Sequence, residues 1–192
     1  MGRVSLWVLA VAWLALPCIA DAKDKAKEKT GFRVTSPDLV ANTKISVKHV
    51  YKGFGCEGGN LSPALVWNGA PPETKSFAVT AYDPDAPTGS GWWHWVVYNI
   101  PAETSELKTG AGSADGDQLP AGAVQGRTDF GTTGYGGPCP PQGHGTHHYH
   151  FTVHALKIEK LDVPADATAA LIGYMINANR LGKATLTGTY SR

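Results

Sequence analysis

The sequence predicts a mostly β single domain with one helix near its C-terminus. Three observations carry this. Gly (23) and Pro (13) make up nearly a fifth of the 192 residues. They separate short β-branched and aromatic runs, which is the pattern of an all-β core. Hydrophobic residues at 42% are too many for a disordered chain. Only one stretch shows helical spacing. The length favours one domain, or one domain with an appendage.

The candidate strands begin at residues 32–35 and 45–50, both β-branched or aromatic runs. Residues 76–82 alternate, with Phe77, Val79 and Ala81 on one face. Residues 93–100 are a continuous apolar and aromatic run, as expected of a central strand buried on both sides. Residues 147–158 sort His147, Tyr149, Phe151 and Val153 to one face, and His148, His150, Thr152 and His154 to the other. Residues 184–190 form a closing strand. The Gly-rich stretch 101–141 reads as surface loops with one short strand near 123–125. Helical spacing appears over 166–181, where Leu171/Met175 and Ile172/Ile176 fall four apart. Asp166 or Thr168 caps its start, and Gly182 is expected to end it in a left-handed conformation.

Residues 1–22 read as a secretory signal peptide. Arg3 supplies the positive end, the 17 residues from Val4 to Ala20 are uncharged, and Ala20-Asp21-Ala22 has the small-x-small form of a cleavage site. The rival readings are an uncleaved anchor and a lipid attached at Cys18. Residues 23–30 form a charged linker, with four Lys from Lys23 to Lys29; a solvated spacer is its plain reading and weak attraction to anionic lipid the sharper one. Residues 31–192 then form the domain, expected in the periplasm or outside the cell. A net charge of +1 and no clustered basic surface argue against a nucleic-acid partner. Export would leave Cys56 and Cys139 as an even pair, which in an oxidising compartment reads as a disulfide, the alternative being two free thiols.

Three clusters carry candidate chemistry. Asp83-Pro84-Asp85-Ala86-Pro87 follows a strand as a stiff acidic turn, either functional or an ordinary strand end. Trp92-Trp93-His94-Trp95 sets one imidazole among three indoles. It is either a hydrogen-bonded core residue or a group tuned by a nearby carboxylate. The third cluster runs from Tyr135 to Tyr149 and includes Gly136-Gly137-Pro138-Cys139-Pro140-Pro141. Its backbone amides are candidates for a concave anion nest. Five of the seven His lie within 144–154, but no carboxylate stands among them, so no metal or other cofactor is expected.

The ordered set D-P-D-A-P, W-W-H-W, D-F-G, G-P-C-P-P and H-x-Y resembles the phosphatidylethanolamine-binding protein family, also called Raf-kinase-inhibitor-like proteins, and its short bacterial members above all. The resemblance covers residues 31–192 and implies a large sheet packed on a smaller one, with a small anion pocket at one end. It assigns ligand contact to Asp83, Asp85, His94, Gly137, Pro138, Pro141, His147 and Tyr149, and suggests a cis Ala86–Pro87 bond. The implied ligands are phosphate, acetate-like anions or a phosphoethanolamine-like head group. Two carboxylates beside an anion would keep the histidines protonated, or would receive the ammonium of ethanolamine. His148 stands where the family usually has Arg, and is expected to point away from the pocket with an ion pair lost. The implied function is non-enzymatic binding, with inhibition or modulation of a partner protein as a further expectation. The alternatives are a hydrolase or lyase using His94 or His147 with an Asp, and a protein acting through its surface alone.

Overall fold

A computed structural model describes residues 1–2 and 31–192. The signal peptide, save its first two residues, and the charged linker lie outside the described residues.

The chain folds mostly as β-structure, in the order β1 (Arg33–Thr35), β2 (Lys52–Gly53), β3 (Cys56–Glu57), β4 (Leu65–Asn68), β5 (Ser76–Asp83), β6 (Trp92–Pro101), β7 (Glu106–Leu107), β8 (Val124–Gln125), β9 (His147–Leu156), α1 (Ala169–Asn179) and β10 (Arg180–Tyr190). The large antiparallel sheet runs β10-β9-β5-β6-β8; a smaller one runs β1-β4-β7, and β2 pairs with β3. Residues 31–192 form one compact unit.

Strand periodicity explains both layers. On β5, Phe77, Val79 and Ala81 face the small sheet, where they meet Leu65 and Trp67 of β4 and Val34 of β1. Ala78, on the opposite face, packs with Val96 and Tyr98 of β6 against Ile172 and Ile176 of α1. β6 is therefore covered on both sides, as its unbroken apolar run requires. Removing the side chains of Ile172 and Ile176 from water is worth roughly 1.5–3 kcal/mol each. This burial docks a helix of only 11 residues, too short to hold by propensity alone.

Three sequence expectations change, and the helix cap falls to Thr168, one of the two residues expected. Residues 45–50 are not a strand. Ile45 donates its amide to Thr189 of β10, and the chain then curls into a 3-10 turn over Val47–His49 with Val47 exposed. The contact with β10 is a single bridge at Lys44, opposite Thr189, and β10 ends one residue later at Tyr190. The helix starts at Thr168, whose hydroxyl accepts from the Leu171 amide at 3.2 Å. It ends without a left-handed glycine, because Arg180 is already extended and β10 begins there. Gly182 sits instead at a register shift in the β9–β10 pairing. The stretch expected to be loop also contains β7, one of the two edge strands of the small sheet.

Candidate functional site

Register decides which side chains meet. β5 ends at Asp83, opposite Trp92 at the start of β6. β9 pairs antiparallel with β5, Tyr82 opposite His150. The end of β5 and the starts of β6 and β9 therefore share one margin of the large sheet. A cavity of about 190 Å³ opens there, lined by Asp83, His94, His147 and Tyr149. Phe54, Trp92 and Phe130 form aromatic walls, with Pro87, Pro140 and Pro141 at the rim.

The Asp-Pro-Asp turn separates its two carboxylates. Asp83 Oδ1 accepts the Asp85 amide at 2.8 Å, an Asx-turn that holds Asp83 inward. Asp83 Oδ2 accepts from His147 Nδ1 at 2.7 Å, and both side chains are buried. His144 Nδ1 lies 2.8 Å from His147 Nε2, completing a carboxylate–imidazole–imidazole chain. Asp85 does not line the cavity. Its Oδ2 accepts from the ring and the amide of His148, each within 2.8 Å, at the surface. Burial works against the Asp85 charge, but these two donors outweigh it and hold its pKa below the usual value. His148 therefore points away from the pocket, and its ring is hydrogen-bonded to Asp85.

All peptide bonds among the described residues are trans, Ala86–Pro87 included. The chain reverses by other means. Thr88 donates its amide to Ala86 O and its hydroxyl to Gly91 O. Gly91 has φ 69°, and a Cβ there would lie 2.2 Å from the Tyr82 hydroxyl.

His94 is fully within the fold. Its Nδ1 lies 2.6 Å from Gly136 O. A carbonyl only accepts, so Nδ1 carries the proton and Nε2 is left as an acceptor. Burial lowers the His94 pKa to about 4, against the opposing pull of the Gly136 carbonyl and of Asp83. His94 is thus neutral at pH 7, and the expectation that the carboxylates would keep it protonated is corrected. Tyr149 is pushed the other way: burial first, and then the Asp83 charge, raise its pKa, so it stays a phenol and a donor.

The glycine-proline segment is a wall rather than a nest of free amides. Gly136 donates its amide to His94 O, and Gly137 donates to Asn60 Oδ1. Proline has no N–H to offer. Gly137 and Pro138 do not line the cavity; Pro138 O accepts the Tyr51 amide. A Cβ on Gly137 would lie 2.1 Å from His49 O, so the glycine is required for packing. Cys139, joined to Cys56 with Cα atoms 6.1 Å apart, carries the wall.

Two polar atoms at the cavity lack a regular hydrogen bond. Trp92 Nε1 is buried with no partner in the protein, and buried Tyr149 Oη meets no acceptor at regular geometry, although the Asp83 carboxylate is close enough to raise its pKa; both residues line the cavity. Burying a donor unpaired costs about 1–3 kcal/mol. Trp92 and Phe130 belong to the motifs read from the sequence, but Phe54, at φ 52° and stacked on Phe130 at 5.9 Å, had no local signal. Among the described residues no group of three or more His, Cys, Asp or Glu is arranged to hold a metal, and no helix is long and apolar enough to cross a membrane.

Buried neutral histidines give a pH prediction. The pKa is lowered by burial to about 4 at His94 and to about 3 at His154. Their stabilising effect is complete above the unfolded value near 6.5 and is lost as pH falls toward the folded values. Each adds a slope of up to about 1.4 kcal/mol per pH unit in that window. Urea unfolding at pH 7, 6 and 5 should show this decline, with His154→Gln reducing it by about half. A flat profile would contradict the neutral assignment.

Residues 35–191 match the family described as Phosphatidylethanolamine-binding protein. The UPF0098 protein YbcL of Escherichia coli is 56% identical over 85% of this chain and 89% of its own. A second Escherichia coli protein, UPF0098 protein YbhB, is 50% identical over 83% of this chain and 99% of its own. The crystal structure of YbcL, described as a new member of the mammalian PEBP family, superimposes with a TM-score of 0.82, covering 84% of this chain and 98% of that one.

Proposed function

Since the chain belongs to the phosphatidylethanolamine-binding protein family, we propose that the cavity at the β5–β6–β9 margin binds a small oxyanion of the phosphate-monoester class, without chemical turnover. The observation that carries this is the pair of buried donors without a regular hydrogen bond, Trp92 N–H and Tyr149 O–H, on residues that line one cavity. Donors of this kind need acceptors, and anionic acceptors give the stronger hydrogen bonds.

The rest of the lining narrows the ligand. Asp83 presents a carboxyl group held by His147, no Lys or Arg lines the cavity, and His94 offers an acceptor. A fully deprotonated anion is poorly matched to this set. A phosphate monoester carrying one proton fits better: its P–OH donates to His94 Nε2 while its other oxygens accept from Tyr149 and Trp92. Binding should then hold between the His94 pKa of about 4 and the second phosphate pKa of about 6, and weaken above it. Acetate in its protonated form offers the same donor and acceptor pair in smaller volume. The aromatic and proline rim suits an ester whose organic part leaves the polar floor.

The hydrolase or lyase alternative draws no support from the lining. Thr88 is tied to Gly91 and Cys139 is disulfide-bonded, so neither is a free nucleophile. An exported setting suits the disulfide and the leader read from residues 1–22. Calorimetry with phosphoethanolamine tests the assignment. Tyr149→Phe deletes one donor with little change of shape, and should weaken binding by about 10- to 150-fold, the equivalent of roughly 1.5–3 kcal/mol for a bond to a charged group. Unchanged affinity in Tyr149→Phe and in Trp92→Phe would remove this ligand from the cavity.

A further inference from the structure

The outer face of the large sheet carries a polar array that neither core nor pocket uses. Thr80, Thr152 and Thr185 lie side by side across β5, β9 and β10. Lys183 stands opposite His154 in the next row. With Arg180, Tyr82 and Trp93 these residues line a second cavity of about 380 Å³. No carboxylate lines it, and among the described residues neither Arg180 nor Lys183 has an acidic partner. Among the described residues the Arg180 guanidinium donates to Asn177 Oδ1.

One buried atom points to an occupant. His154 is 7% exposed; its Nε2 lies 3.1 Å from Thr80 Oγ1, and its Nδ1 has no partner. Burial, then Arg180 and Lys183, oppose its protonation. With the Thr80 hydroxyl donating to Nε2, Nδ1 carries the proton of a neutral ring and is a free donor. The Tyr82 and Trp93 rings, with centroids 4.7 Å apart, wall the other side.

We propose that this face is a second anion site, separate from the cavity at the β5–β6–β9 margin, for a small phosphate-class oxyanion. The donor set is an ammonium, a guanidinium, one imidazole N–H and the one hydroxyl proton left over, since Thr80 donates to His154 and Thr152 and Thr185 bond each other. It outnumbers what a carboxylate can accept and suits a tetrahedral group with three or four oxygens. The two sites differ in kind. The first has an acid and no cation; this one has two cations and no acid, so it takes a fully charged phosphate and does not require the ligand's proton.

The test is a nuclear magnetic resonance titration with inorganic phosphate at pH 7.5, carried out on the Tyr149→Phe variant to silence the first cavity. The amides of Thr152, His154 and Thr185 and the Trp93 indole should shift together and saturate. The double variant Arg180→Gln/Lys183→Gln should weaken that response by about tenfold or more, the loss expected for charged hydrogen bonds. Lys183 is exposed and Arg180 half-buried, and each single change is a second variant should the double one unfold. If a water satisfies His154, no saturable shift appears and the proposal fails. It fails equally if the shifts survive both substitutions.

Discussion

Replacing Cys56 and Cys139 together by Ser should cost about 4–5 kcal/mol of stability, the chain-entropy value for a loop of 83 residues. That is a large share of the 5–15 kcal/mol a domain holds in total. The bridge fixes the wall carrying Pro140 and Pro141 to the β2–β3 hairpin. Arg192, whose Nε donates to Pro140 O at 2.6 Å, and the Tyr51 amide, which donates to Pro138 O, provide further tethers. The double variant should therefore unfold at lower urea, and its folded fraction should bind phosphoethanolamine more weakly. Urea denaturation of parent and variant measures the first effect directly. A difference below about 1 kcal/mol would mean that closing this loop restricts the unfolded chain little, because it is already compact without the bridge.

Asp83→Ala should be nearly as damaging, by a different route. Asp83 is the buried acceptor for His147 Nδ1 and also closes the Asx-turn through the Asp85 amide. Removing one member of a buried, hydrogen-bonded pair costs about 3–5 kcal/mol, because the partner is left without its counterpart. Asp83→Asn keeps an acceptor at the same place and should cost much less stability, while placing a neutral group beside the anion. Thermal unfolding of the two variants separates these effects. Equal losses would show that charge, rather than the acceptor, holds His147. Asp85→Ala is the contrasting case: its carboxylate faces His148 at the surface, where such pairs contribute about 0–1 kcal/mol.

The contrast between Asp83 and Asp85 also shows where sequence reading stops. The strands that carry the site were legible, since β5, β6 and β9 declare themselves by alternation or by an unbroken apolar run. The shared face of His147 and Tyr149 followed from that periodicity. β4 was missed although Leu65 and Trp67 are buried and Val66 and Asn68 are exposed; four residues are too few for a period to stand out. No pattern tells which carboxylate of Asp-Pro-Asp turns inward, because one Asx-turn decides it. The charge state of His94 was read wrongly for a related reason. Its proton is placed by a carbonyl 42 residues away and its pKa by burial among distant rings. The amide nest failed in the same manner: Gly136 and Gly137 are present, but their N–H groups bond to His94 and Asn60.

The Trp92 indole N–H resonance is the most direct probe of the phosphate-monoester assignment, because that group has no partner in the protein and belongs to the first cavity alone. Phosphoethanolamine added at pH 5.5 should move it downfield and saturate. At pH 8, where the ligand has lost its second proton, the same titration should need a much higher concentration. A Trp92 resonance that does not respond at either pH would contradict an oxyanion in this cavity. A stronger response at pH 8 would contradict the role given to neutral His94.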